Sequence, residues 1–141
     1  DYLMSEMTPE FIALCEQAKK EGWLKWEPQM GDWAWYCSAP VILLHKESGV
    51  PLVWGVYGFL TGYSNVLIAN LTWLPTEGQL MRILNTEIVW VLESKECEKC
   101  DRLYRIELYE IKMVRGVPFW QAYESDLSLA LLKAVEAVRR K

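Results

Sequence analysis

The sequence predicts an α+β protein, in which a mostly antiparallel sheet of meander and hairpin strands packs against an N-terminal and a C-terminal helix, as in an α/β sandwich. Three observations predict this class. Amphipathic helical patterns stand near both ends of the chain, and runs rich in β-branched and aromatic residues lie between them. Most connections between those runs are short, which favours antiparallel neighbours. With 141 residues the chain suits a single domain over 1–141, with 1–7 disordered or non-native.

The first element is a helix predicted from Pro9 to Lys20. Thr8 is placed to cap it, Pro9 suits its first turn, and Gly22 is a natural stop. Four residues fall at helical spacing on one apolar face: Phe11, Leu14, Cys15 and Ala18. Because these signals agree, we expect the helix to bury that face.

A turn at Pro28–Gly31 leads into four predicted strands of a meander. These strands are Asp32–Cys37, Val41–Lys46, Val50–Phe59 and Val66–Trp73. Turns are predicted between them at 46–49 and 62–65. Residues 48–76 contain no charged side chain, but Pro, Gly and Asn interrupt them. A membrane-spanning helix needs about 20 predominantly apolar residues in succession, so buried strands are predicted here instead.

A short second helix is predicted next, because Thr76 and Gln79 have the spacing of a capping box; it is expected to end near Asn85. Three strands follow it: Glu87–Lys95, Arg102–Met113 and Pro118–Tyr123. The first two are expected to form a hairpin with a polar tip. The charged side chains of this hairpin are interpreted as a solvated face, where ion pairs contribute little.

The clearest helical signal closes the chain, after Ser125 or Asp126 as the cap. Six apolar residues recur at helical spacing: Leu127, Ala130, Leu131, Ala134, Val135 and Val138. Leu129 and Leu132 widen this stripe, which predicts that the helix lies flat on the sheet.

Tryptophan is the unusual component of the composition, with eight residues. Four of them lie around the Pro28–Gly31 turn, where aromatic side chains either fill the core or form a stacking surface for a sugar or a base. Asp32 either hydrogen-bonds the turn backbone or works with Glu27 as an acid and base pair. On the ligand-binding interpretation the candidate residues are Trp23, Trp26, Asp32, Trp33 and Trp35.

Cys97 and Cys100 form a C-x-x-C pair at the predicted hairpin tip. Two thiolates at this spacing suit one tetrahedral zinc site, but no second pair in the chain supplies the other ligands, so zinc would need a second protomer. A thiol redox pair and a plain exposed tip are the other interpretations. His45 is the only histidine, and Cys37 lies eight positions before it, which leaves a nucleophile and base pair open.

Two segments resemble motifs of small uncharacterised proteins of bacteriophages and of prophages in Gram-positive bacteria. Trp26–Trp33 has the pattern W-x-P-x-x-G-D-W, and Trp73–Leu80 has the pattern W-L-P-T-x-x-Q-L. The closing helix, from Ser128 to Val138, resembles their alanine- and leucine-rich tail. The resemblance implies a phage or prophage origin, a small α/β sandwich and cytoplasmic expression, and it brings no established activity or catalytic residue.

The sequence contains no recognisable group of catalytic residues. We therefore expect a non-enzymatic, cytoplasmic accessory protein that binds a protein partner, or itself, through a sheet edge or an apolar patch. Two alternatives stay open: a small-ligand or carbohydrate-binding domain with a tryptophan-rich surface, and a metal-linked oligomer or thiol enzyme that uses Cys97 and Cys100. Apart from zinc we expect no cofactor and no membrane contact. The net charge of −4 argues against nucleic acid as a partner.

Overall fold

The computed structural model describes residues 7–45, 51–55, 62–96, 102–110 and 116–140 of the chain. Over these residues it has three α-helices and two antiparallel sheets, of five and three strands, with helices toward both ends. The predicted α+β class is therefore confirmed. The chain divides into two compact units, which we call the internal unit (Cys15–Pro75) and the discontinuous unit (Asp1–Leu14 with Thr76–Lys141). The assignment of 1–141 to a single domain stays a prediction.

The helices are α1 (Pro9–Glu21), α2 (Glu77–Glu87) and α3 (Leu127–Arg139). The strands are β1 (Trp33–Tyr36), β2 (Ala39–His45), β3 (Leu52–Gly55), β4 (Gly62–Asn65), β5 (Thr72–Trp73), β6 (Val89–Lys95), β7 (Leu103–Tyr109) and β8 (Trp120–Glu124). A short 3-10 helix, Ile68–Asn70, precedes β5. The predicted ends of α1 and α2 lie within two residues of the observed ones.

In the internal unit, the first five strands form one antiparallel sheet in the order β4-β3-β2-β1-β5. Alternate residues of the strands point to the same face. The buried cluster on that face comprises Ala34, Val41, Leu43, Val53, Val66 and Leu71. Trp26, Tyr36 and Ile68 pack against the cluster and are themselves half-buried. The segment before β1 is therefore joined to the core of the unit through the indole of Trp26.

One turn prediction in this unit is wrong, and one strand prediction is met only over its last two residues. Residues 62–65 are predicted as a turn but form β4, which pairs with β3 along its whole length. Residues 66–73 are predicted as a full strand but contain the 3-10 helix, in which the Asn70 N–H donates to the Leu67 carbonyl, and only the two-residue β5, which pairs with β1. The physical reason is that β3 offers a complete hydrogen-bond ladder at its edge, and this pairing outweighs the weak strand propensity of glycine and asparagine.

Other predictions in the strand regions are met in part. The strand predicted at Val50–Phe59 is described only over β3, and the turn predicted at 46–49 lies outside the described residues. The pairing of β6 with β7, from Val89↔Tyr109 to Lys95↔Leu103, confirms the predicted hairpin. The tip of that hairpin, at 97–101, also lies outside the described residues.

The discontinuous unit contains the antiparallel sheet β6-β7-β8. Helix α3 packs on β7 and β8, as predicted, and α2 packs against α3. The buried side chains of these elements are Leu80, Leu84, Ile106, Leu108, Leu129, Ala130, Leu131, Leu132, Ala134 and Val135. Asp126 is the N-cap of α3, and its Oδ1 accepts from the Ser128 N–H at 3.1 Å. Most of the stripe predicted on this helix is therefore buried, whereas Leu127 and Val138, at its two ends, are half-buried.

Helix α1 begins and ends on the predicted signals. The Thr8 Oγ1 accepts from the Phe11 N–H at 3.2 Å, and the Gly22 N–H donates to the Ala18 carbonyl at 2.8 Å. Gly22 has a φ of +80°, in the left-handed region that glycine enters without steric cost. Phe11, Cys15 and Ala18 are buried, which confirms most of the predicted apolar face.

The capping box of α2 gives a first testable prediction. Thr76→Ala is expected to lower the free energy of unfolding by about 1 kcal/mol, because the helix loses a side-chain acceptor at its N-terminus. The Thr76 hydroxyl accepts from the Gln79 N–H at 3.2 Å, and the Gln79 side chain accepts from the Thr76 N–H at 2.8 Å. Urea denaturation measures the change.

The matched control is Thr86→Ala, in the last turn of the same helix. The Thr86 hydroxyl is exposed and donates only to the Ile83 carbonyl, at 2.8 Å. We expect this substitution to change the stability by less than about 0.5 kcal/mol. Equal losses in the two variants would show that the box does not stabilise α2.

Candidate functional site

The turn before β1, which we call the tryptophan turn (residues 26–33), is organised around the carboxylate of Asp32. Asp32 is buried, and its Oδ2 accepts from the Gln29 N–H and from the Trp26 Nε1–H, both at 2.9 Å. Glu27, by contrast, is exposed. The structure therefore gives Asp32 the role of a turn acceptor, which was one of the two interpretations of its sequence position.

The backbone of the tryptophan turn is fixed to β2. The Gly31 N–H donates to the Leu43 carbonyl at 2.7 Å, and the Leu43 N–H donates to the Asp32 carbonyl at 2.9 Å. Gly31 has a φ of +90°, a conformation that L side chains rarely adopt. Gly31 and Asp32 thus supply the two features that this turn needs: a residue that adopts a positive φ, and a side chain that accepts hydrogen bonds.

The four tryptophans proposed as ligand-binding residues do not share one surface. Trp23 is buried, and its indole N–H donates to the Glu21 carboxylate at 3.1 Å. Trp26 lies on the core side of the sheet. Trp33 and Trp35 are half-buried and alternate with Ala34 along β1, so they point to the opposite face. The structure brings Trp26 and Asp32 together and separates them from Trp33 and Trp35; ligand binding by the whole set stays a prediction.

Trp73 is the partner of Trp26 that sequence reasoning missed. The two indoles are stacked, with ring centroids 6.4 Å apart and planes 6° from parallel. They are 47 positions apart in the chain, and β5 brings them together by pairing with β1. The Trp73 Nε1 is buried and finds no acceptor among the described residues. The W-L-P-T motif marks Trp73 as unusual, but no sequence signal pairs it with Trp26.

A cavity of about 330 Å³ lies beside this stack, and we call it the indole–lysine cavity. Its lining includes Cys15, Lys19, Lys25, Trp26, Ile68 and Trp73. Burial, and secondarily the charge of Glu16, raises the pKa of the Cys15 thiol far above its ordinary value. The thiol is therefore neutral at physiological pH and is a poor nucleophile, so this cavity is suited to binding rather than to thiol chemistry.

A second cavity, of about 490 Å³, lies in the discontinuous unit beside Trp120 and Lys133. Its charged lining residues already have partners: Lys133 pairs with Glu124, and Arg140 pairs with Glu136 at 2.8 Å. Charges that are paired at a surface offer little additional attraction to a ligand. This cavity is therefore a weaker candidate site than the indole–lysine cavity.

The structure tests the Cys37–His45 pair but does not test the Cys97–Cys100 pair. Cys97 and Cys100 lie outside the described residues, so the zinc and redox interpretations stay predictions. Cys37 lies in the turn before β2, and His45 is the last residue of that strand. The strand spans about 20 Å from Ala39 to His45. The Cys37–His45 pair is therefore too far apart for a nucleophile and its base. Among the described residues no group of three or more potential ligands could hold a metal ion.

One side of the β6-β7-β8 sheet forms a second candidate site, which we call the outer sheet face. Residues directly opposite one another on paired strands point to the same side. The strand registers therefore place on this face Val89, Val91, Glu93, Lys95, Leu103, Arg105, Glu107, Tyr109, Gln121 and Tyr123. Val89, Val91 and Tyr123 are 50%, 39% and 53% exposed. The opposite side carries Ile106 and Leu108, which are buried.

The charges of the outer sheet face form a network at its centre. Arg105 pairs with Glu93 and, at 3.6 Å, with Glu107. The pKa of Arg105 is raised above its ordinary value: a hydrogen bond with Tyr123 raises it most, burial lowers it, and the charges of Glu93 and Glu107 raise it further. Arg105 is therefore positively charged at physiological pH.

Comparisons with protein-family models, with curated proteins and with solved structures found no match to this chain. The helices of the described residues are all too short or too polar to cross a membrane.

Proposed function

We propose that this chain is a non-enzymatic accessory domain that acts by protein contact, and that a second copy of the chain binds at the outer sheet face. The observation that carries the proposal is the exposure of Val89, Val91 and Tyr123 on one side of the β6-β7-β8 sheet. The water-facing side of an antiparallel sheet is ordinarily polar. Neighbouring valines and a tyrosine on that side favour a surface that another protein covers.

Charge supports a second copy as the partner. The chain has a net charge of −4, so two copies repel each other on average. On the outer sheet face Glu93 and Glu107 are balanced by Lys95 and Arg105, which makes this face neutral. A two-fold contact places the same surface on both sides. A neutral, partly apolar face is therefore a surface at which self-association meets little electrostatic opposition.

The resemblance to phage and prophage proteins is part of the same proposal. It implies a small protein of phage or prophage origin that is expressed in the cytoplasm, and contact through a sheet face suits a protein of this kind. The cytoplasmic location and the phage origin rest on this resemblance.

Self-association is tested by measuring the molar mass of the protein in solution by light scattering over a range of concentrations. We expect the wild type to reach twice the chain mass of 16.5 kDa. Tyr123→Glu and Val91→Lys are expected to remain monomeric, because each buries a charge in the contact, and the glutamate at 123 faces Arg105 across the strand pair. The lysine introduced at 91 faces Glu107 across the strand pair, and this opposite-charge pair favours the folded sheet.

The matched control is Tyr63→Lys, which changes a tyrosine that is 70% exposed on the edge strand β4 of the other unit. It should dimerise like the wild type. Circular dichroism confirms that each variant is folded. A wild type that is monomeric at all concentrations, or face variants that dimerise as well as Tyr63→Lys does, would refute the proposal.

A further inference from the structure

We infer that the indole–lysine cavity of the internal unit is a binding site for a small planar aromatic carboxylate. The cavity lies in a different unit from the outer sheet face, and its occupation does not depend on self-association. Three properties of the cavity carry the inference: its apolar walls, its two ammonium groups, and an indole donor without an acceptor.

The walls suit an aromatic ring. Leu24 and Leu71 are buried side chains of the lining, and Ile68 and the stacked Trp26–Trp73 pair complete its apolar part. A volume of about 330 Å³ lies at the small end of ligand pockets, which span roughly 300–1,000 Å³. Such a space admits one or two rings. Aromatic rings bind indoles by offset stacking or edge-to-face contact, so the stack provides a preformed surface for a planar ligand.

Lys19 supplies a cation that is already fixed in position. Its Nζ donates to the carbonyls of Ala69 and Leu71, at 2.5 and 2.7 Å. An ammonium group has three N–H donors, so these two hydrogen bonds leave one donor for a ligand. Because the backbone already holds the side chain, a carboxylate that binds there loses little of the entropy that ordering a lysine would cost.

Lys25 adds a second positive charge to the lining of the cavity. Within the part of the chain that the structure describes, neither Lys19 nor Lys25 forms an ion pair with a carboxylate. The Trp73 Nε1–H, in a residue that lines the cavity, is a further donor that is buried and has no acceptor among the described residues. All three groups are donors, which selects an anion over a neutral sugar or a cation.

Benzoate is the probe for this site, and the indole N–H signals of the protein in ¹H–¹⁵N NMR spectra are the readout. We expect benzoate to shift the signals of Trp26 and Trp73 at millimolar concentration. The signals of Trp90 and Trp120, in the discontinuous unit, should stay in place. Single Trp→Phe variants assign the four signals.

Two neutral or non-planar analogues separate the parts of the inference. Benzamide keeps the ring and loses the charge, so it should bind about tenfold or more weakly. Cyclohexanecarboxylate keeps the charge and loses the planar ring, and it should also bind more weakly than benzoate. If benzamide binds as tightly as benzoate, the lysines do not select the ligand and the inference is wrong.

Lys25→Met tests whether the charge of Lys25 contributes to binding. Lys25 is exposed and forms no ion pair among the described residues, so we expect the variant to fold. We expect benzoate to bind about three- to tenfold more weakly, with benzamide binding unchanged. The matched control is Lys20→Met, which removes an exposed lysine of α1 that does not line the cavity. Equal losses in the two variants, or no shift of Trp26 and Trp73 with benzoate, would overturn the inference.

Discussion

Replacing Leu131 by aspartate is expected to unfold the discontinuous unit. Leu131 is fully buried in α3, which packs on β7, β8 and α2. The substitution removes the transfer free energy of a buried leucine, roughly 1.5–3 kcal/mol, and places an unpaired carboxylate in an apolar interior. Domains are stable by only about 5–15 kcal/mol, so the combined loss is comparable to the whole. Circular dichroism and urea denaturation should show no cooperative transition from this unit, and the protein should aggregate.

Two further variants make this expectation quantitative. Leu131→Ala keeps the site apolar and should cost about 2–5 kcal/mol, the usual range for a large-to-small change in a core. Leu67→Asp is the matched control, because Leu67 is half exposed and lies in the other unit. Its effect should stay below about 1 kcal/mol. A soluble Leu131→Asp protein that melts cooperatively like the Leu67→Asp control would mean that α3 does not form the core of its unit.

The helices could be predicted from the sequence because their signals are local. Thr8, Thr76 and Asp126 each lie next to the N–H groups that they cap, so residues three or fewer positions apart decide where each helix starts. The apolar stripe of α3 repeats within one element in the same way. Such signals do not depend on the rest of the fold, and for this reason they were sufficient here.

Strand order in the internal unit depends on contacts that the local sequence does not contain. The β4 strand exists because β3 pairs with it, although its own residues, Gly62 to Asn65, favour a turn. Residues 66–73 lie beyond β4, and they cross to the other edge of the sheet, where β5 pairs with β1. A prediction made from propensity and alternation assigns residues 62–65 to the wrong structure and finds only the last two residues of the strand predicted at 66–73, because it cannot include the partner strand.

The candidate sites also combine local features, which the sequence indicates, with long-range contacts, which it does not. The role of Asp32 in the tryptophan turn was among the interpretations of the sequence, since Asp and Gly at adjacent turn positions are local signals. The stack of Trp26 on Trp73 and the bonds from Lys19 to Ala69 and Leu71 join residues about 50 positions apart. No pattern in the sequence indicates them, and the indole–lysine cavity therefore emerges only from the fold.

The outer sheet face is an intermediate case. The sequence shows apolar residues on this side of β6, but the charged residues of the hairpin led to the prediction of a solvated face. The predicted core face of β6 carries Trp90 and Leu92, and the alternate residues Val89 and Val91 are apolar as well. A strand that is apolar on both sides is typical of one covered on both sides. The glutamates and lysines of the hairpin led to the prediction of a solvated face, and the register shows that valines and Tyr123 share that face with them.

Asp32→Ala is expected to destabilise the internal unit by about 3 kcal/mol. The substitution removes the acceptor of two hydrogen bonds, from the Gln29 N–H and the Trp26 indole, and hydrogen bonds to a charged group contribute roughly 1.5–3 kcal/mol each. Both bonds are accepted by Oδ2, and Asp32→Asn can keep an uncharged oxygen at that position, so we expect it to lose about half as much. Urea denaturation followed by tryptophan fluorescence measures both, and Glu27→Ala, an exposed carboxylate of the same turn, is the matched control with an effect below about 0.5 kcal/mol.

The same substitution separates a structural role of the tryptophan turn from a direct role in binding. Asp32 does not line the indole–lysine cavity, whereas Trp26, which it holds through the indole N–H, does. Asp32→Ala should therefore weaken benzoate and benzamide by the same factor, because it displaces a wall of the cavity and leaves both lysines in place. Lys25→Met should affect benzoate alone. If Asp32→Ala is no less stable than Glu27→Ala, the Asp32 carboxylate does not stabilise the turn. Its two hydrogen bonds would then not explain why Asp32 lies among the tryptophans.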